Sequence, residues 1–128
     1  VTARQTLFDH PLPAAYFLYW EESEWFWWLR QAGLRVMYEP AAVAVHAGGR
    51  ADVRTAKSRL MARNAVRCIR RTQGRWAAAR AYPIVVAWNA RLVVTAAARR
   101  PAWLRARLAG LAAAVASITE IVPTGSRR

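Results

Sequence analysis

At 128 residues the chain has room for one domain, and its single cysteine, Cys68, excludes both an internal disulfide and a cysteine-based metal site. The net charge of +13 is unevenly carried: residues 1–50 hold four Arg against five acids, net −1, whereas residues 51–128 hold sixteen Arg or Lys against two acids, net +14. A near-neutral half is thus followed by a strongly basic one; nineteen of the twenty basic residues are Arg, and no function is read from Arg over Lys alone.

The sequence opens at Val1 with neither an initiator Met nor a signal peptide, and it reads as a piece of a longer protein. Residues 1–8 are expected to end a strand of a sheet lying mostly upstream. Asp9, Pro11 and Pro13 then form a loop with His10 at its surface.

The densest stretch is 16–33. Three of the seven acids, Glu21, Glu22 and Glu24, sit beside four of the seven tryptophans. The acids suit the first turn of a helix over 22–32, where they face the positive end of the dipole, and Gly33 suits its end. Trp25, Trp28, Leu29 and Ala32 recur at i, i+3, i+4 and i+7, the stripe of a core-facing helix. At 100° per residue Glu22 projects beside that stripe and Glu24 away from it. Glu22 is therefore expected inward and Glu24 in solvent. Two readings stand: the acids cap the helix, or a partly dehydrated carboxylate at an aromatic wall acts as a general base or metal neighbour.

Beyond the helix, residues 34–39 and 42–45 alternate as two short strands separated by Pro40. The second ends at His46 and opens into Ala47-Gly48-Gly49. A His there either points into a cleft or is a hydrogen-bonded structural residue. Residues 55–73 form an amphipathic helix with Thr55 as N-cap and Gly74 as stop. Met61, Ala65, Cys68 and Ile69 share its apolar face, and Arg59, Arg63, Arg67 and Arg70 the opposite one. Such an arginine stripe is either solvated or a contact for phosphate or lipid headgroups. Cys68 reads as a core residue rather than a nucleophile.

From 75 to 121 the composition is Ala, Val, Leu and Arg. Pro83 and Pro101 suit first helical turns. Arg91 interrupts the apolar run near its middle, so this run is not expected to span a bilayer. Leu104, Leu108, Leu111, Val115, Ile118 and Val122 stripe a last helix. The two helices either pack as a hairpin on a catalytic domain or lie in a membrane interface anchored by Trp76, Trp88 and Trp103.

Phe17-Leu18-Tyr19-Trp20-Glu21-Glu22-Ser23-Glu24, then Leu29-Arg30-Gln31-Ala32-Gly33-Leu34-Arg35-Val36, then Glu39-Pro40-Ala41, His46, Gly48-Gly49 and Arg63-Asn64 resemble, in order and spacing, the C-terminal part of family 2 glycosyltransferases. The likeness is to the rhamnosyltransferase and galactofuranosyltransferase-like branch and covers about residues 4–74. It implies an α+β, helix-rich piece: the acceptor-side end of a GT-A nucleotide-diphospho-sugar transferase α/β fold over 1–52, a basic amphipathic helix over 53–74, and a helical extension over 75–128.

The same resemblance implies an inverting transfer from a nucleotide-diphosphate sugar to a glycan or lipid-linked acceptor in cell-envelope polysaccharide or glycolipid synthesis. Glu22 matches the family's Asp base, one methylene longer. Trp20, Glu21 and Glu24 match acceptor-side positions, and His46 a metal position. The divalent metal, Mg or Mn, is shared with an upstream Asp-x-Asp that this chain lacks, so the piece alone is expected to be inactive. Arg59, Arg63 and Arg67 are the expected phosphate or lipid contacts. The expected location is cytoplasmic, either free or peripheral at the inner face of a membrane, and the lone Cys fits that reducing compartment. The rival is a non-enzymatic basic module binding anionic membrane or nucleic acid; nucleic acid is disfavoured because most Trp lie outside the basic helix.

Overall fold

The computed structural model describes residues 4–45 and 54–122. Among them the chain is helix-rich and has no strand: α1 (Arg4–Asp9), α2 (Glu21–Gln31), α3 (Arg54–Gln73), α4 (Arg75–Arg99), a 3₁₀ turn at Pro101–Trp103, α5 (Leu104–Ala116) and a second 3₁₀ turn at Ser117–Glu120. α3 packs along both α4 and α5, those two pack on each other, and α2 docks on α3.

The strands expected at the start of the chain and at 34–39 and 42–45 do not form, so the α/β part of the expected fold is not seen. A strand needs a neighbour to take its backbone groups, and within the described residues neither run has one. Residues 4–9 coil into α1 instead, with Gln5 Nε2 donating to Asp9 Oδ1 at 2.9 Å, an i, i+4 contact. Residues 34–45 run exposed and irregular, broken by a turn over Pro40 in which the Ala42 N–H donates to the Glu39 carbonyl at 3.1 Å.

α2 ends as expected at Gly33, whose φ of +77° carries the chain into the left-handed region. The Gly33 N–H donates to the Arg30 carbonyl and the Leu34 N–H to the Leu29 carbonyl, the paired bonds of a Schellman end. A Cβ at Gly33 would meet nothing within 4 Å, so Gly33→Ala isolates the backbone penalty. A loss of about 1–2 kcal/mol is expected in a denaturant melt, and an unchanged midpoint would show that this end does not set the docking of α2.

Gly74, at φ +89°, separates α3 from α4 without a loop. Thr55 is not a cap: the helix already includes Arg54. Pro83 is not in a first turn either, but inside α4. Its exposed ring leaves one helical bond unmade, and packing of the inner face on α3 and α5 carries the helix through.

Beside Val66 of α3 and the layer of Tyr16, Trp25 and Leu29, the core where α3, α4 and α5 meet is rich in small side chains. Ala62 and Ala65 of α3, Ala78 and Ala96 of α4, and Ala106, Gly110 and Ala114 of α5 are buried, with Ser117 just beyond. At Gly110 an added Cβ would lie 3.2 Å from the Ser58 Cβ and 3.3 Å from Asn89 Oδ1, so α3, α4 and α5 approach one another there closely enough that even a methyl group would require them to give by a few tenths of an ångström. Of the stripe expected along the last helix, Leu108, Val115, Ile118 and Val122 are exposed, and Leu104 and Leu111 are half-buried. Met61, expected on the apolar face of α3, is exposed as well, whereas Cys68 is buried as expected, and burial pushes its thiol pKa up.

Candidate functional site

The acidic stretch is presented by a turn with two consecutive non-glycine residues at positive φ, Tyr19 at 67° and Trp20 at 77°. Each such residue costs about 1–2 kcal/mol, so the turn persists because other groups hold it. α3 supplies them. Asn64, fully buried, donates from Nδ2 to the Leu18 carbonyl at 2.9 Å and to the Tyr19 carbonyl at 3.2 Å. The Trp20 indole N–H donates to the Met61 carbonyl at 3.0 Å, and the Lys57 ammonium lies 5.3 Å from the centre of the Tyr19 ring. With the turn fixed, α2 begins at Glu21 and all three acids fall in its first turn.

The orientation of the acids is the reverse of that expected. Glu24 is 1% exposed, and Glu22 lies on the surface without a hydrogen bond or ion pair among the described residues. The Tyr16 hydroxyl donates to Glu24 Oε2 at 2.5 Å, Arg71 Nε to both carboxylate oxygens at 2.8 and 2.9 Å, and the Trp28 indole N–H to Oε1 at 3.3 Å. Burial alone would raise the Glu24 pKa, but the bonds from Arg71, Tyr16 and Trp28 outweigh it and hold the carboxyl below its ordinary value. Burial and the bond to Glu24 push the Tyr16 hydroxyl well above its ordinary range. Arg71 is raised in turn by its bond to Glu24. This network joins α2, its preceding loop and α3 as an anchored ion pair.

The reversal follows from which aromatic edge turns inward. Trp25 and Leu29 are buried, but Trp28 is 44% exposed and Ala32 is exposed. The indole N–H of Trp28 reaches back one turn to Glu24, so the buried face is rotated towards the Glu24 side. Glu21 lies between the two, half-buried, with its Oε2 enclosed and without a partner among the described residues.

The other expected residues divide. Arg59 and Arg63 are exposed and line a groove of about 680 Å³ between α3 and the end of α5, with Leu60, Ala113 and Ser117 among its walls. Arg67 is not on a free face: it pairs with Glu120 and donates to the Ala15 carbonyl at 3.0 Å, tying the second 3₁₀ turn to the loop before α2. His46 lies outside the described residues. His10 is half-buried rather than at the surface, and its carbonyl accepts the Trp25 indole N–H. A groove of about 450 Å³ runs beside it, walled by Pro13, Trp25 and Trp28.

Among the described residues no group of three His, Cys, Asp or Glu is placed to hold a metal. Glu24 is committed to Arg71, which leaves Glu21 and Glu22 as the oxygen donors of the stretch. These two alone do not make a metal site.

Arg71 and Tyr16 were not among the expected site residues. A signal for Arg71 exists: Asn64, Cys68 and Arg71 stand at i, i+4 and i+7, so the face that buries Cys68 also carries Arg71. Comparison with protein families, with curated proteins and with solved structures finds no match to this chain.

Proposed function

We propose that this chain is the acceptor-side, C-terminal part of an inverting glycosyltransferase, with Glu22 as the base. The observation that carries the proposal is the turn at Leu18-Tyr19-Trp20. A strained backbone, clamped by a buried Asn64, aims the first turn of α2 so that one acid is consumed internally and another is left exposed. A helix cap requires no such clamp.

In this reading the Glu22 carboxylate takes the proton of an acceptor hydroxyl as its oxygen attacks the anomeric carbon, and the nucleoside diphosphate leaves with the electrons of the broken C–O bond. One displacement inverts that carbon. Glu24, buried and paired, acts only by fixing α2 on α3. The GT-A sheet that binds the donor and the Asp-x-Asp are contributed from outside these residues, and His46 with them in any metal site. Glycan or lipid-linked hydroxyls of cell-envelope polymers are the acceptor class. Against this, the basic-module reading accounts for the charge of α3 but not for the clamp.

The test is sugar transfer by an intact protein that contains this chain. It is expected to move sugar from a nucleotide-diphosphate donor to a hydroxyl acceptor with inversion at the anomeric carbon. Transfer from no member of a donor panel, or transfer with retention, would sink the reading.

A further inference from the structure

The bundle is inside out for a water-exposed protein. Alanine, glycine and serine fill the seams between α3, α4 and α5, while Trp76 is 70% exposed, Ile84 70%, Trp88 55% and Val94 67% on α4. These four recur with Arg80, Pro83 and Arg91 along the outward side of one helix. Small residues between helices and large apolar residues outside is the packing of helices whose solvent is lipid.

Charge selects the kind of lipid. Within 54–122 fourteen basic residues face a single acid, Glu120, and that acid is paired with Arg67. On α4 the guanidinium of Arg75 lies 5.1 Å from the Trp76 ring centre and that of Arg91 5.4 Å from Trp88, so each anchor indole carries a cation at its face. At the α4–α5 junction Arg99, Arg100 and Arg107 line a cleft of about 300 Å³ around Trp103. Arg54 closes over the same ring at 4.5 Å.

Dimensions select the mode. α4 is long and apolar enough to cross a membrane by length and composition. α5, of 13 residues, reaches about 20 Å, short of a hydrocarbon core of about 30 Å. α3, packed along both, carries seven basic residues. A bundle held to α3 cannot pass through hydrocarbon, but it can lie on it.

We propose that the outward faces of α4 and α5 seat this chain on an anionic bilayer, with the indoles of Trp76 and Trp88 at headgroup depth and Arg99, Arg100 and Arg107 on lipid phosphates. The proposal does not depend on sugar transfer, since it concerns other residues and another readout.

The full chain is to be floated with phosphatidylcholine vesicles lacking or containing phosphatidylglycerol. Binding is expected only to the anionic vesicles. Arg99→Gln/Arg100→Gln/Arg107→Gln is expected to weaken it on the order of 100-fold, and Trp76→Ser/Trp88→Ser by about tenfold or more. Raised salt removes the screened part of the binding and leaves a residue that the serine pair abolishes. Brominated lipid should quench the wild-type fluorescence, and Trp76→Phe/Trp88→Phe should bind while losing most of that quenching, the remainder coming from Trp103 in the arginine cleft. No anionic binding, binding indifferent to both Trp pairs, equal affinity for duplex DNA, or insertion that resists alkaline carbonate would each overturn the proposal.

Discussion

Glu22→Gln, made in the enzyme that contains this chain, is expected to lower turnover by ~10² to 10⁴ while leaving donor affinity near normal. The amide keeps the length and hydrogen-bonding reach of the side chain but cannot take a proton at neutral pH, and nothing among the described residues depends on Glu22 for its own bonding. Glu24→Gln, measured beside it, should leave turnover per folded molecule nearly unchanged, because its oxygens are turned to Arg71, Tyr16 and Trp28. Glu22→Asp retracts the carboxylate by about 1.5 Å, one C–C bond, and restores the chain length of the family pattern, so it should retain far more activity than the amide. Near-normal turnover of Glu22→Gln with loss in Glu24→Gln would transfer the role to the buried acid. Normal turnover in both would reduce the cluster to a helix cap.

Local sequence signals bracket α2 and the end of α3, but not α1, which the sequence reads as strand, nor the start of α4. The acids of the first turn and Gly33 bracket α2 to within a residue, and Gly74 ends α3 as its permissive backbone predicts. Alternation at 34–38 was read as a strand, yet alternation only says that one face would be apolar. Whether a ladder forms depends on a partner chain segment, and the described residues provide none.

Periodicity also leaves open which face of a helix is buried: on α2 it places Glu22 inward, whereas Glu24 is the buried acid. The stripe on α5 is compatible with a packed hairpin or a membrane interface, and the close approach at Gly110 places small residues at the contact with α3 and α4. A stripe of Leu and Val looks the same whether water, protein or lipid covers it. The long-range clamp from Asn64 to Leu18 and Tyr19 spans more than forty residues and has no periodic signature.

The two ends of the buried ion pair should respond unequally to neutralisation. Arg71→Gln is expected to cost about 3 kcal/mol or more, because it leaves an anion that is 1% exposed without its cation. Glu24→Gln should cost less, about 1–2 kcal/mol, since the Arg71 side chain is 40% exposed and rehydrates, while the new amide oxygen still accepts from Tyr16. The double variant should fall short of the sum, with a coupling of about 1–3 kcal/mol.

The pH dependence gives the sign independently. Because folding depresses the Glu24 pKa, its contribution is fully present above the ordinary value of 4.5 and is lost as pH falls through the lower folded value. Removing Arg71 takes away its bond and its charge, two of the causes that lower the Glu24 pKa, so the folded value rises and Arg71→Gln loses less stability in acid at this site. Urea melts of wild type and Arg71→Gln on either side of pH 4.5 read this directly: their stability difference should narrow as pH falls. A constant difference, or equal losses for the two single variants, would mean that water reaches Glu24 and that the pair does not hold α2 on α3.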